Sequence, residues 1–236
     1  MKKSIKLLGV GLLLTAGVVS CSTDDFAERS DVSTVNGYAN LTDRKISVFD
    51  TDAVLSMKLF KGDASISFDN IEVVLDSVTT TTATVSDDTT ATFNSSFLGD
   101  LEVDSYGITV NSTLSNGNKP KDNFTINVVN PVSISEDNVE KASLDTLANI
   151  ALDYSTYTFN APKDNVVLSL KKNEAGTYAA SGAGQLDGDG GSVLLKDTNY
   201  EGLNLAVKDS LYYKYTISSG SKSADASGYI VILPES

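Results

Sequence analysis

A strict alternation of apolar and polar residues constrains this chain most, because it recurs from residue 44 almost to the C-terminus. Apolar side chains two positions apart share one face of a β-strand, so each run predicts a half-buried strand. Clear runs are Ile46–Val48, Leu55–Leu59 and Ile71–Leu75. Turn-forming glycine, asparagine and aspartate clusters separate the runs at intervals of about 8–12 residues, the spacing of strands in a β-sandwich. The pattern therefore predicts an all-β, antiparallel architecture.

A second level of order is an internal repeat with an offset of about a hundred residues, the length of one immunoglobulin-like domain. In each half, an aromatic-led strand, a tight turn and a returning strand are followed by a proline. The segments are Tyr106–Val110 and Phe124–Val128 before Pro131, and Tyr213–Ile217 and Tyr229–Leu233 before Pro234. The repeat predicts two tandem immunoglobulin-like β-sandwiches, over residues 43–133 and 134–236.

Two tyrosines and one ambiguous segment refine this prediction. Residues 207–215 resemble the tyrosine corner of fibronectin-type and immunoglobulin-like domains, in which a tyrosine hydroxyl bonds back to upstream backbone. The resemblance assigns this structural role to Tyr213 and, by a looser match, to Tyr106. Residues 136–151 carry apolar side chains near helical spacing, and their pattern leaves open a helix or the first strand of the second sandwich.

The first 25 residues have the features of a targeting signal. Three lysines precede an apolar run from Leu7 to Val19, which is the layout of a secretory signal and is too short for a comfortable membrane span. The run ends in Val18-Val19-Ser20-Cys21, which resembles the bacterial lipobox. The resemblance implies cleavage of residues 1–20 and a diacylglyceryl group with a further acyl chain, such as palmitate, on Cys21. The alternative is an ordinary signal peptide with a free cysteine near its cleavage site.

The residues that follow Cys21 indicate a flexible tether and a cellular location. Ser22, Thr23, Asp24 and Asp25 resemble the surface-export signal of Bacteroidetes lipoproteins, and the alternative is a generic polar linker. Residues 21–42 lack sustained periodicity and predict a flexible lipidated tether, which spans roughly 25 Å as a random coil. The resemblance implies an outer-membrane lipid anchor that faces the cell surface.

Charge and cysteine content exclude several classes of interaction. Residues 1–20 hold three lysines and no acidic residue, so the remaining 15 basic and 31 acidic residues give a net charge of −16. Such a surface repels phosphate backbones, so we expect no nucleic-acid binding. Cys21 is the only cysteine, which leaves no intramolecular disulfide to stabilise the fold.

Residues with catalytic or metal-binding chemistry are sparse. The chain has no histidine, which excludes Ser–His and Cys–His catalysis and imidazole metal ligands. Ser169–Lys172 has the S-x-x-K spacing but falls on an alternating strand. Asp187 and Asp189 resemble the start of a weak calcium loop, but Thr198 stands where its final glutamate belongs, which favours a glycine-rich turn. We expect no cofactor and no enzymatic activity.

The remaining functional signal is aromatic. A sugar can stack on an exposed ring, and because tryptophan is absent the best platforms are Tyr178, Tyr200 and Tyr212. The competing interpretation places these tyrosines in the core or at an edge of the sandwich.

The layout resembles accessory lipoproteins of Bacteroidetes nutrient-uptake and assembly systems. This resemblance implies a non-catalytic binding or scaffolding subunit, held by acyl chains and partnered by an outer-membrane barrel or lipoprotein. The alternatives are a surface protein that binds polysaccharide for a neighbouring transporter, and an adhesin.

Overall fold

The computed structural model describes residues 36–77, 79–134, 139–164, 166–183 and 186–235, with the backbone alone at 139–141. The predicted leader, the lipidation residue Cys21 and the export residues Ser22, Thr23, Asp24 and Asp25 lie outside these residues. Within the described ranges, no helix combines the length and apolar character needed to cross a membrane.

The first sandwich packs two sheets face to face. Sheet A has the strand order β1-β3-β7-β6, and sheet B has the order β2-β9-β8-β4-β5. A 3₁₀ turn at Ser95–Leu98 follows β7 and is capped by the side chain of Asn94. The strands are β1 (Gly37–Leu41), β2 (Lys45–Ser47), β3 (Val54–Lys61), β4 (Phe68–Leu75), β5 (Thr79–Thr82), β6 (Thr84–Asp87), β7 (Thr90–Asn94), β8 (Asp104–Leu114) and β9 (Lys121–Val129).

The second sandwich is built in the same way. Sheet C has the order β10-β12-β15, and sheet D has the order β11-β17-β16-β13-β14. A short helix, α1 (Asp197–Tyr200), and 3₁₀ turns at Leu147–Asn149 and Glu201–Leu203 lie between strands. The strands are β10 (Val132–Ile134), β11 (Val139–Ser143), β12 (Ala151–Thr156), β13 (Val166–Lys172), β14 (Ala179–Ala180), β15 (Gly190–Leu194), β16 (Ser210–Ser219) and β17 (Lys222–Leu233).

The topologies of the two sandwiches match strand for strand. Sheet D repeats the order of sheet B, and sheet C repeats that of sheet A without a counterpart of β6. In each sandwich the second strand runs parallel to the last, as β2 to β9 and β11 to β17. The predicted all-β fold of two tandem immunoglobulin-like sandwiches is confirmed, with the difference that each sandwich contains one parallel pair among antiparallel ones.

The predicted alternation decides which side chains fill the two cores. Ile71 and Val73 of β4 are fully buried in the first core, and Val166 and Leu168 of β13 are buried in the second. Burying an aliphatic side chain of this size contributes about 1.5–3 kcal/mol. Because no disulfide is available to the predicted mature chain, these two apolar clusters stabilise the fold.

The internal repeat is one residue out of register in the last strand. The sequence match aligns Phe124–Val128 with Tyr229–Leu233, which would turn Tyr229 inward. In the structure Ile230 and Ile232 are the buried residues of β17. A shift of one residue moves every side chain to the opposite face of a strand, so Tyr229 stands on the outer face of sheet D.

Gly228 explains why the last strand can take this register. It faces inward opposite Tyr213, whose ring fills the space that a larger residue would need. A Cβ atom on Gly228 would lie 2.6 Å from both Cζ and Oη of Tyr213, far inside van der Waals contact. The glycine therefore makes room for a buried tyrosine.

Two predicted boundaries need correction, and one open alternative is decided. The predicted tether, 21–42, extends too far, because residues 37–41 form β1 with Ala39 and Leu41 fully buried. The predicted boundary between residues 133 and 134 falls inside β10, which already pairs with β12 of the second sandwich. In the ambiguous segment, residues 139–143 form strand β11 and not a helix.

A buried carboxylate joins the two sandwiches. Asp50 lies in the turn after β2 and is 2% exposed. Its two oxygens accept hydrogen bonds from the backbone N–H groups of Phe159, Asn160 and Ala161 of the second sandwich, at 2.7–2.9 Å. The N–H and hydroxyl of Ser47 donate to the same carboxylate. Burial alone would raise the pKa of Asp50, but these donors outweigh it and lower the pKa below its ordinary value of 3.8.

Aromatic side chains cross the same junction in both directions. Phe49, beside Asp50, packs into the second core, and Phe159 packs against the first. The hydroxyl of Tyr157 donates to the backbone oxygen of Lys45 at 2.7 Å, while the Lys45 ammonium lies 4.1 Å from the centre of the Tyr157 ring. The junction is thus part of both cores.

Candidate functional site

The two tyrosines matched to the tyrosine corner have different surroundings. Tyr106 lies in β8, where its hydroxyl donates to the backbone oxygen of Glu102 at 3.3 Å and accepts from the N–H of the same residue at 3.0 Å. Tyr213 lies in β16 and is buried, with its ring edge-on to Tyr215 at 6.3 Å between ring centres. Tyr215 donates to the backbone oxygen of Leu152 in the opposite sheet at 2.7 Å.

The two aspartates of the calcium-like loop engage protein groups. Asp189 pairs with the ammonium of Lys163 at 2.7 Å, and this hydrogen bond and charge lower the pKa of Asp189. Asp187 accepts the N–H of Asp189 at 2.9 Å, which closes the turn. The part of the chain that the structure describes contains no group of three or more aspartate, glutamate, cysteine or histidine side chains able to hold a metal ion.

The S-x-x-K segment lies in strand β13, not at the start of a helix. The Lys172 ammonium donates to the backbone oxygen of Asn204 and pairs with Asp209, both at 2.7 Å. The hydrogen bond from Lys172, followed by that from Asn173, lowers the pKa of Asp209 to about 2. The lysine is therefore a charged structural group, unlike the base that this chemistry requires.

Of the three tyrosines predicted as sugar platforms, one is misplaced. Tyr200 is the buried last residue of α1, and its hydroxyl donates to Asp197 at 2.6 Å. Burial, followed by this hydrogen bond, raises its pKa. Tyr178 and Tyr212 lie half-buried on the outer side of sheet D, with Tyr178 beside its edge strand β14, so neither is a core residue.

The structure gathers these two tyrosines with three residues that the sequence did not single out. Lys171 of β13, Tyr212 of β16 and Tyr229 of β17 form one cross-strand row in register, and Tyr178 stands just before β14. Lys214 lies two positions along from Tyr212 and therefore on the same face. We call Lys171, Tyr178, Tyr212, Lys214 and Tyr229 the tyrosine–lysine face.

Rings and ammonium groups alternate along this face. The Lys171 nitrogen lies 4.7 Å from the centre of the Tyr178 ring and 5.2 Å from that of Tyr212. The Lys214 nitrogen lies 5.0 Å from the same Tyr178 ring. Tyr212 and Tyr229 stack with their ring centres 5.3 Å apart. Cation–π and aromatic contacts of this kind hold the side chains upright on the sheet.

The hydroxyl groups of this face differ from most other tyrosine hydroxyls in the protein. Among the residues that the structure describes, the hydroxyls of Tyr178, Tyr212 and Tyr229 have no hydrogen-bond partner. Burial, and then the nearby Tyr212 and Asp225, raise the pKa of Tyr178 above its ordinary value of 10.0. The hydroxyls of five other tyrosines donate hydrogen bonds to protein atoms: Tyr106, Tyr154, Tyr157, Tyr200 and Tyr215.

Two shallow clefts present fewer side chains suited to ligand binding than the tyrosine–lysine face does. One, of about 340 Å³, lies at the sandwich junction between Phe49 and Lys222, but the Asp50 carboxylate that borders it is already saturated with donors. The other, of about 410 Å³, lies between β14 and α1 and is lined largely by small residues and backbone. The tyrosine–lysine face remains the strongest candidate site.

Sequence reasoning could not find Lys171, Lys214 and Tyr229 because the face exists only once the strands are paired. The alternation within β16 was enough to predict that Tyr212 and Lys214 lie on the same face of the sheet. The position of Tyr229 was not readable, because the repeat placed it on the inner face.

Comparison with protein-family models finds no matching family, and comparison with curated proteins finds no match. Among solved structures, a bacterial ice-binding adhesin of 1.5 MDa is 15% identical with a TM-score of 0.27, covering 83% of this chain and 65% of that one. A tetra-tandem repeat from the extending region of a large adhesion protein is 17% identical with a TM-score of 0.31, covering 82% and 49%. Drosophila N-cadherin EC1-3 is 13% identical with a TM-score of 0.33, covering 84% and 68%.

Proposed function

We propose that this protein is a non-catalytic carbohydrate-binding protein and that the tyrosine–lysine face is its binding surface. The observation that carries the proposal is a row of half-buried rings whose hydroxyl groups have no partner among the described residues. Rings pack against the C–H surfaces of a sugar, while phenol and ammonium groups donate to its oxygens. The sheet beneath fixes the spacing of these groups, which lowers the entropic cost of binding.

We further propose that acyl chains on Cys21 hold the protein at the outer membrane with the sandwiches facing outward. The lipobox-like leader and the acidic residues after Cys21 support this placement. Two acyl chains anchor far more firmly than one, since each buried CH₂ contributes about 0.8 kcal/mol. In this arrangement the face serves either adhesion to a glycan surface or capture of polysaccharide for a neighbouring transporter.

Binding of full-length protein in detergent to a panel of soluble polysaccharides, measured by calorimetry, tests the proposed function. We expect at least one polysaccharide to bind, and Tyr212→Ala to weaken that binding by roughly tenfold, the loss typical of a central aromatic contact. Thr109→Ala, on the outer face of the first sandwich, serves as the matched control and should leave binding unchanged.

Two results would contradict the proposal. One is the absence of binding across the panel, and the other is equal weakening by Tyr212→Ala and Thr109→Ala. Release of sugar fragments during the titration would contradict the non-catalytic part alone.

A further inference from the structure

The positions of the two ammonium groups on the tyrosine–lysine face point to the charge of its ligand. The Lys171 and Lys214 nitrogens lie 4.7 and 5.0 Å from the centre of one ring, that of Tyr178. They are therefore within about 10 Å of each other, close enough for one ligand to touch both. Like charges at this separation repel, and a bound anion between them removes that cost.

Each ammonium group keeps donors for a ligand. Lys171 donates to the backbone oxygen of Glu174, and Lys214 pairs with Asp225 at 3.0 Å. An ammonium group has three donors, so these contacts leave donors on both nitrogens. The Lys214 side chain is 28% exposed, which keeps this nitrogen accessible.

The local charge of the face is opposite to that of the chain. Three cross-strand rows of sheet D hold nine outward side chains, two of which are these lysines, and Asp225, the partner of Lys214, is the single acidic one among the nine. The whole chain carries a net charge of −13. Because charges farther apart than about 8 Å are largely screened at physiological ionic strength, a ligand on the face meets two lysines before it meets the acidic remainder.

We infer that the carbohydrate bound by this face is anionic, bearing carboxylate or sulfate groups, with Lys171 and Lys214 as the residues that select its charge. This inference rests on the proposed function. The rings supply contact area that neutral and anionic sugars share, whereas the two lysines favour the anionic sugar.

The test uses probe pairs that share a sugar backbone, one member of each pair carrying anionic groups and the other neutral. Polygalacturonate is compared with its carboxyl-reduced neutral form, and dextran sulfate with dextran, against full-length protein in detergent by calorimetry. We expect at least one anionic probe to bind roughly tenfold or more tightly than its neutral counterpart. Raising the salt concentration should reduce that ratio, because exposed charges are screened.

Variants distinguish the residues that select the charge of the ligand from those that only contact it. The double substitution Lys171→Met and Lys214→Met should bring the anionic probe to the affinity of its neutral counterpart. Tyr212→Ala should weaken both members of each pair. Lys121→Met, on the exposed outer side of β9 in the first sandwich, is the control and should change neither.

Each outcome has a defined meaning. Equal binding of charged and neutral probes overturns the inference and leaves the proposed function standing. Binding of no probe overturns both. Binding of poly-L-glutamate as tightly as the anionic polysaccharides would show a general anion patch and overturn the assignment to carbohydrate. Preference for one probe pair identifies carboxylate or sulfate as the recognised group.

Discussion

The outer faces of sheets B and D occupy the same position in two sandwiches of the same topology, but only the face of sheet D carries tyrosine hydroxyls without a partner among the described residues. On sheet B, Thr109 donates to Asn123 and Ser105 donates to Asn127, each at 2.9 Å. On sheet D, rings and ammonium groups stand in a row with their hydroxyls unpartnered among the described residues.

This difference shows which side chains are needed to form the core and which are free to vary on the surface. The inner faces of both sheets repeat the same apolar pattern, because both must cover a core. The outer faces have no such requirement, so they are free to differ. Hydroxyls that already bond to neighbouring side chains gain little from a ligand, whereas the unpartnered tyrosine hydroxyls of sheet D can form new hydrogen bonds with one.

The largest expected effect comes from breaking the junction that makes the two sandwiches one scaffold. Asp50→Asn keeps the shape of the side chain but replaces one acceptor oxygen with an amide donor that faces backbone N–H groups. Hydrogen bonds to a charged group contribute about 1.5–3 kcal/mol, so we expect a loss of about 3 kcal/mol. Calorimetry should resolve two unfolding transitions in the variant and one in the parent; a single unshifted transition would show that the junction is not coupled to either core.

Acid should weaken the same junction without a mutation. The donors around Asp50 lower its pKa in the folded protein, so the unfolded chain takes up a proton more readily than the folded one. The stability contributed by Asp50 is complete above the unfolded pKa of about 3.9 and is lost as pH falls through the lower folded value. Chemical denaturation between pH 6 and pH 2 should show a steeper decline in the parent than in Asp50→Asn, and equal slopes would contradict this.

A substitution inside one sandwich should have the next largest effect on stability. Gly228→Ala places a methyl group 2.6 Å from the ring of Tyr213, and overpacking of this kind costs about 1–3 kcal/mol. Gly107→Ala in β8 is the matched control, since an added Cβ there meets nothing within 4 Å. Hydrogen exchange should locate the loss from Gly228→Ala in sheet D, and an equal effect of both substitutions would argue against the steric explanation.

The smallest effects on stability should come from the two outer faces themselves. Exposed cation–π contacts contribute about 0.5–1 kcal/mol, so Lys171→Met should cost no more than that. Thr109→Ala should fall in the same range, since it removes one exposed hydrogen bond. If denaturant midpoints shift little for both variants while carbohydrate affinity falls for Lys171→Met alone, then ligand binding and not stability distinguishes the faces.

The fold was predictable because core-forming alternation is local in sequence. Leu55, Met57 and Leu59 of β3 are buried as their spacing requires. Strand β1 was missed because its inward residues are Gly37, Ala39 and Leu41, of which only Leu41 is a large apolar residue that stands out from the polar segment around it. Strand β11 was ambiguous because apolar residues of several short elements together resemble a helical spacing.

The candidate site was only partly predictable because it depends on register between strands. Tyr178 and Tyr212 were identified by residue type, but the same reasoning also selected Tyr200, whose hydroxyl is committed to Asp197. The partnership of Lys171 with Tyr212 and Tyr229 follows from pairings across three strands. Spacing along one strand carries no information about those pairings.

The two parallel strand pairs have a mechanical consequence. In each sandwich the strand near the beginning lies parallel to the last one, over Lys45–Ser47 in β2 and Val139–Ser143 in β11. Tension along the chain pulls the start of one strand and the end of its partner in opposite directions, so the connecting hydrogen bonds are loaded in shear and all at once. Extension of either sandwich by such tension would therefore have to break all the hydrogen bonds of its parallel pair together.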